Sequence, residues 1–405
     1  MLGPHDSRSP LRVLHVVPSF YPALGYGGPI HALYELCLAQ VAAGRSVRVL
    51  TSDANGPSRL RELSGRWVSE LGVPTFYAPV RLGEDLAPAL LTQLWRELPS
   101  ADLVHVSGLW SGTSLLGLLG ATLTGKPTVL TPHGSLMPWA LAAGAGRRRK
   151  LTVLRTLWPL FTRLGGWHVS SSQEEAGLRQ LMQHGHLPSH TPIVQIENGL
   201  RPHAAMTMPA PKPDPISPRP PQLVVLGRIV PIKRIELAVS ALHALRKTLP
   251  TARLTIAGPV PPSEQAYFDT LRAQIDQLGL SAAIDFPGLV GPDHKAKLLA
   301  EATALWLTSH MESFGIVVLE ALAAGTPVIA VSSTPWQLLD AQRVGHFVEA
   351  TPEAIASATL RLCQLSDAEQ AELSVRCQRL VADRYTWPVL ETKLFAFYQA
   401  IRSRK

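Results

Sequence analysis

The stretch Ala304–Val331, ALWLTSHMESFGIVVLEALAAGTPVIAV, decides how the chain is read. ALWLTS is a short apolar run with strand character, and HMESFG after it is a polar loop. A helix is predicted from Ile316, and TPVIAV is a second strand. Strand, loop, helix and strand in this order make one βαβ unit. The same alternation runs through both halves of the chain. LRVLHVV (Leu11–Val17), SVRVLTS, DLVHVSG (Asp102–Gly108), KPTVLTPHG, GGWHVSSS and TPIVQIENG read as strands of the first half. QLVVLGR, ARLTIAG, AIDFPG, ALWLTS and TPVIAV read as strands of the second, with helices from Arg234, over Ala266–Leu278 and after Asp293. The prediction is an α/β protein with two Rossmann-like domains built on parallel sheets. Ligands in such sheets bind outside the carboxyl ends of the strands, where the polar motifs of this chain lie.

Between the halves, residues 201–221 read RPHAAMTMPAPKPDPISPRPP. Proline at this density removes backbone donors and fixes φ, so the segment is expected to be an extended, semi-rigid linker. The expected organisation is a tail over 1–10, a first domain over 11–200, the linker, a second domain over 222–384 and a closing segment over 385–405. That segment carries a helix near Trp387–Arg402, long enough to cross back onto the first domain. The total of 405 residues suits two domains. A hydrophobic fraction of 46% excludes disorder as the dominant state. The net charge of +8 fits anionic small molecules or an anionic membrane surface better than a nucleic-acid groove. Cys37, Cys363 and Cys377 lack metal spacing and read as buried thiols of a reducing compartment. MLGPHDSRSP has no secretory h-region, and Leu115–Gly125 is too short to span a bilayer, so a cytoplasmic protein is expected.

Glu312 lies in the loop after ALWLTS and Glu320, with seven residues between them, lies two turns into the helix. Together they can accept hydrogen bonds from the vicinal hydroxyls of a sugar, and a charged acceptor binds about twice as strongly as a neutral one. Alone, such a pair fits a helix cap and a solvated loop residue equally simply. LGRIVPIKRIELA places Arg228 and Lys233 at a strand end and helix start. Cations there oppose the helix dipole, so they either call for an anion or form a solvated turn. GYGGPIHAL puts Gly27 and Gly28 ahead of a helix, where backbone amides can approach a phosphate. TPHGSLMPWAL presents His133 in a loop after a strand, a position a core or capping histidine also takes.

Taken in order, these motifs resemble the family-4 retaining glycosyltransferases of the GT-B fold, of the bacterial polysaccharide-biosynthesis type. The Glu312–Glu320 segment is similar to that family's Glu-x7-Glu signature, and Thr131–Leu141 is similar to its P-H-G-x-L-x-P-W-A-L. The resemblance implies two facing Rossmann-like domains and a hexose moved from a UDP-hexose or GDP-mannose to a saccharide or polyprenyl-linked acceptor. It implies that Glu312, with Ser313, Phe314 and Gly315, holds the donor sugar and that Glu320 holds the ribose. Arg228 and Lys233 would clamp the diphosphate opposite Gly27 and Gly28, and His133 would orient the sugar. No D-x-D pair occurs, and neither a metal nor a cofactor is expected, the nucleotide-sugar being a substrate. HVSGLW departs from the family's H-x-H-G-L-W at Ser107, and ENGL departs from P-N-G-[VI]-D at Glu197 and Arg201. Thr334–Val348 is similar to the loop that meets donor phosphate or sugar. A sugar-nucleotide epimerase on the same architecture and a non-catalytic sugar-nucleotide-binding scaffold are the alternatives.

GRRRKLTVLRTLWPLFTRLGGW (Gly146–Trp167) combines Arg147, Arg148, Arg149, Lys150, Arg155 and Arg163 with Trp158, Phe161 and Trp167. It fits an amphipathic basic helix lying on an anionic membrane, peripheral on the inner face of the plasma membrane. It fits equally a helix packed on the sheet with solvated arginines. Ser170–Leu181 reads as a helix start, with Glu174 and Glu175 favouring the positive end of its dipole.

Overall fold

The structure, a computed structural model, describes residues 10–23, 28–56, 58–69, 71–81, 87–142, 146–201 and 220–404. Gly27, residues 1–9 of the expected tail and residues 202–219 of the expected linker lie outside them. The chain divides into two compact units: one runs to Gly199 and includes the segment from Trp387, and the other is Leu200–Thr386.

In the first unit, besides a short antiparallel pair at Ala54–Asn55 and Ser58–Arg59, the strands are β1 (Arg12–Val16), β2 (Ser46–Ser52), β3 (Trp67–Val68), β4 (Thr75–Ala78), β5 (Leu103–Ser107), β6 (Thr128–Thr131), β7 (Gly166–Val169) and β8 (Ile193–Gln195). They form one sheet in the order β8-β7-β6-β5-β1-β2-β4-β3, parallel except at β3. Each central strand is buried on both faces because helices cover both sides. Leu14 and Val16 of β1 pack in one core with Leu90 and Leu94 of α2 (Ala89–Glu97) and Leu118 of α3 (Gly112–Leu123). Val13, one residue out of phase, packs in the other core with Leu33 and Leu36 of α1 (Gly28–Ala42). That second core also takes Trp387, Leu390, Leu394 and Tyr398 from the last helix, Trp387–Arg402. Arg45, just past α1, ties this helix down: its Nε donates to Glu391 at 3.0 Å and its guanidinium lies 3.4 Å from the Phe395 ring centroid. The closing helix is therefore part of the first unit.

In the second unit β9 (Gln222–Leu226), β10 (Arg253–Ala257), β11 (Ile284–Gly288), β12 (Ala304–Leu307), β13 (Val328–Val331) and β14 (Gly345–Val348) form a parallel sheet ordered β11-β10-β9-β12-β13-β14. Strand order reverses between β9 and β12, the position where doubly wound sheets open a crevice at their carboxyl ends. Both units are Rossmann-like, so the α/β reading of the alternating pattern holds.

Candidate functional site

At that reversal the sequence turns sharply twice. β9 ends at Leu226, and Gly227 leads through Arg228 into a 3-10 turn, Pro231–Lys233, before the helix Ile235–Arg246. Gly258 follows β10 at φ 154, and a Cβ there would stand 1.9 Å from the carbonyl oxygen of Gly227. Only glycine lets these two strand ends come so close. Gly227 itself leaves room for Lys233, whose Cε lies 3.4 Å from the place a Cβ would take. Lys233 thus folds over the end of β9.

There its Nζ meets Glu312 Oε1 at 2.5 Å, and the Ser309 hydroxyl donates to the same oxygen at 2.6 Å. The loop after β12 is stitched to the turn after β9 by backbone as well. His310 N–H donates to the Ile232 carbonyl at 2.8 Å, and the Thr308 hydroxyl donates to the Lys233 carbonyl at 2.9 Å. Lys233 and Glu312, 79 positions apart, therefore meet where two strands end. Arg228 behaves differently. Its side chain is exposed and has no partner among the described residues, so it is a cation left open to solvent.

Glu320 sits on the helix Ile316–Ala323 and pairs through Oε1 with Lys295 Nζ at 2.6 Å. Its Oε2 is buried without a hydrogen-bond partner among the described residues. Lys295 comes from the helix Pro292–Glu301 and no sequence motif pointed to it. Between the two acids Phe314 is buried, and its carbonyl accepts from Trp336 Nε1 at 2.5 Å. Gly315, at φ 88, starts the helix without a side-chain cap, and a Cβ there would meet Trp336 Nε1 at 3.3 Å. Trp336, just past β13, thus supports the acidic loop from behind; Thr334–Val348, expected as a loop, instead holds the helix Leu338–Ala341 and β14.

In the first unit His133 follows β6 at φ 50, a left-handed conformation. Its Nε2 is buried and has no partner among the described residues. Burial, reinforced by the nearby His168, pulls its pKa down to about 4, so the ring is neutral at pH 7. The next residue is tethered: Gly134 N–H donates to Glu174 Oε1. Glu174 Oε2 accepts from the backbone N–H and hydroxyl of Ser170 at 2.8 and 3.1 Å. Glu174 lies with Glu175 in the first turn of the helix Ser172–Gln183, at the positive end of its dipole as expected, and has a second role there. Its carboxylate is buried, with a pKa pushed up by burial, and it clamps the His133 loop onto the end of β7. Gly28 begins α1, as expected.

The basic segment is also corrected. It is not one helix but Arg147–Thr156, Trp158–Phe161 and then β7. Leu154, Phe161 and Trp167 are buried in the core under the sheet, so its apolar side faces inward. Arg147, Arg148, Arg149, Arg155 and Arg163 are exposed. Among the described residues no helix is long and apolar enough to cross a membrane, and no group of three metal-ligating side chains is assembled.

A family model described as glycosyl transferases group 1 matches residues 210–373, and one described as a glycosyl transferase 4-like domain matches 27–199. The chain belongs to the family-4 glycosyltransferases. Among relatives of this family-4 chain is the GDP-mannose-dependent alpha-(1-6)-phosphatidylinositol dimannoside mannosyltransferase of Mycobacterium tuberculosis, 33% identical over 167 residues. That match covers 41% of this chain and spans only 40% of the relative. The GDP-mannose:cellobiosyl-diphosphopolyprenol alpha-mannosyltransferase of Komagataeibacter xylinus is 26% identical over 97% of this chain and 94% of its own length. Among solved structures, Anabaena HepE in complex with UDP superposes with a TM-score of 0.74 at 19% identity, covering 96% of this chain and 100% of that one. That likeness shows the fold, which is GT-B.

Proposed function

We propose that the protein transfers a hexose from a nucleoside diphosphate hexose to a hydroxyl of a saccharide or lipid-linked saccharide, with retention at the anomeric carbon. One observation carries this reading: Lys233 and Glu312 form a tight pair beside the open Arg228 at the strand-order reversal of the second unit. A bound diphosphate would draw on both cations, Arg228 as a planar fork and Lys233 as a point charge. Glu312, with Ser313 to Gly315, then accepts from the sugar hydroxyls. The second oxygen of Glu320, already buried and unpartnered, accepts from the ribose.

In the transfer the bond between C1 and the β-phosphate oxygen breaks while the acceptor oxygen bonds C1 on the same face. The acceptor's proton passes to the departing phosphate oxygen. Lys233 and Arg228 stabilise the charge that grows there, usually the largest single contribution to such a rate. His133, neutral, orients sugar hydroxyls by hydrogen bonding. Gly28, at the start of α1, offers its backbone amide to phosphate. These groups supply the positive charge without a metal ion, so EDTA should leave turnover unchanged.

Both curated relatives carry GDP-mannose in their names, which makes it the first donor to test, against UDP-glucose and UDP-galactose. A true donor at 100 times its Kd stabilises the fold by about 2.7 kcal/mol. Nucleoside diphosphate release that depends on an added acceptor supports the reading. An isomerised donor without transfer would favour the epimerase, and binding without either would favour the scaffold.

The acceptor's lipid bears on one more surface. From Leu103 to Gln173 the chain has no acidic residue, yet it carries Lys126, Arg147, Arg148, Arg149, Lys150, Arg155 and Arg163. With the apolar side of 146–167 buried, these arginines would hold an anionic bilayer by charge alone, at about 1 kcal/mol per basic residue. Binding to phosphatidylglycerol vesicles but not to phosphatidylcholine ones, lost in high salt, is the expected outcome.

A further inference from the structure

Four strands of the first sheet each turn one polar side chain toward the face covered by α1 and the last helix: His15, His105, Thr131 and His168, all buried. They do not stand apart. His168 Nε2 lies 2.9 Å from the Ile196 carbonyl oxygen, and His168 Nδ1 lies 2.9 Å from Thr131 Oγ1. Thr131 Oγ1 lies 2.6 Å from His105 Nε2, and His105 Nδ1 lies 2.6 Å from the Tyr398 hydroxyl. Tyr398 in turn accepts from Gln40 Nε2 at 3.2 Å, and Gln40 Oε1 lies 2.8 Å from His15 Nε2.

One end of this chain fixes every proton in it. A carbonyl only accepts, so His168 carries its proton on Nε2 and leaves Nδ1 bare. Thr131 must then donate to His168, which leaves its oxygen to accept from His105 Nε2–H. His105 Nδ1 is then bare, and Tyr398 must donate to it and accept from the Gln40 amide. Gln40 finally accepts from His15 Nε2–H. His15 Nδ1 is left over, and it is indeed buried without a partner among the described residues. Protonating His105 or His168 would set two donors against each other, and protonating His15 would bury a charged Nδ1–H with no acceptor among the described residues. Burial acts the same way, holding His15 and His168 at about 4 and His105 well below its usual value.

The chain ends next to the site. Thr131 closes β6, and His133 follows two residues later in a left-handed conformation that its surroundings must maintain. Glu174 holds this loop from one side, through Gly134. We infer that Tyr398 of the closing helix holds it from the other: through His105 and Thr131, Tyr398 is a positioning residue for His133. Its role in the reaction rests on the transfer proposed above; the proton order of the chain does not. The closing helix is then a working part of the first unit as well as packing for it, and only a phenol at position 398 supplies the required donor from that helix.

The test uses the whole chain. Tyr398→Phe keeps the packing and removes the donor; Thr131→Val removes the hydroxyl at nearly constant shape, and Thr131→Ser restores it. With donor and acceptor supplied, kcat should fall about tenfold in Tyr398→Phe and Thr131→Val at unchanged donor KM, the scale of a modest misplacement. The double variant should lose no more than either alone, and Thr131→Ser should stay within about twofold of wild type. Imidazole 15N NMR reads the chain without any substrate. His105 and His168 should be the Nε2–H tautomers in wild type, and the His133 signals should move in Tyr398→Phe and Thr131→Val but not in Thr131→Ser. Full activity of both single variants, an Nδ1–H form of His105 in wild type, or unmoved His133 signals would overturn the proposal. A wild type that transfers no sugar sinks the transferase reading instead, and the NMR arm still decides the positioning role. Should Tyr398→Phe fail to fold, the Thr131 pair carries the test.

Discussion

The carboxyl ends of the two sheets are wired alike and charged differently. In the second unit the polar groups are ions in pairs, Lys233 with Glu312 and Lys295 with Glu320, all partly open to solvent. In the first unit, apart from the buried Glu174 that holds the His133 loop, the polar groups near His133 are uncharged imidazoles, hydroxyls and an amide, closed off from water and linked in one proton-ordered chain. A paired ion can be re-paired with a ligand at modest cost, because the ligand's charge replaces the partner's. A buried neutral chain cannot exchange partners without leaving a group unsatisfied, which costs about 1–3 kcal/mol. The second unit is therefore built to answer charge and the first to hold position.

Substitutions should break the two ends in different ways. The largest expected effect is at Lys233: Lys233→Ala should lower kcat about 100- to 1000-fold, the scale for removing one preorganised donor to developing charge. Nucleoside diphosphate release measures it, and wild-type turnover would refute the assignment. Glu320→Ala should act on binding instead, raising the Kd for the donor about tenfold or more by titration, with the hydrogen bond to a charged group worth about 1.5–3 kcal/mol. An unchanged Kd would remove Glu320 from the site.

Acid should sharpen the contrast. His15 and His168 have folded pKa values of about 4, below the usual 6.5. Between pH 6.5 and 4 the unfolded chain binds protons at these rings that the folded unit does not. Their contribution is thus complete above pH 6.5 and is lost as pH falls toward 4. At pH 5 the loss is on the order of a few kcal/mol for the two together. Hydrogen exchange should show first-unit strands losing protection at pH 5 well before second-unit strands; equal loss would contradict the neutral chain. The second unit has a smaller share through His346, half-buried and held low mainly by burial.

The smallest effect is expected at the opposite edge of the first sheet. Arg12 pairs with Asp102 at 2.9 Å beside the amino ends of β1 and β5, with the arginine half exposed. Arg12→Ala should cost under about 1 kcal/mol in a denaturant melt and leave turnover alone. A larger loss would mean that both edges of the sheet matter equally.

How much of this was legible beforehand depended on the range of the interaction. Alternation and apolar runs showed both sheets, because a strand buried on both faces is mostly apolar on both. The local motifs around Arg228, Lys233, Glu312, Glu320 and His133 were visible because each lies within a few residues of a strand end. Lys295, Trp336 and the clamping role of Glu174 were not, since each acts on a group 22 to 40 positions away. One signal was present and unused: LHV, VHV and WHV place histidines at matching phases of three strands.

What the sequence by itself determined is the pair of parallel α/β folds and the set of polar residues at their strand ends, because periodicity and glycine placement are properties of short segments. Which lysine meets which glutamate, which face of 146–167 is buried, and which way each proton points from Ile196 to His15 were decided only by the tertiary structure. Those depend on strand order and helix docking, which bring residues as far apart as His105 and Tyr398 within hydrogen-bond distance.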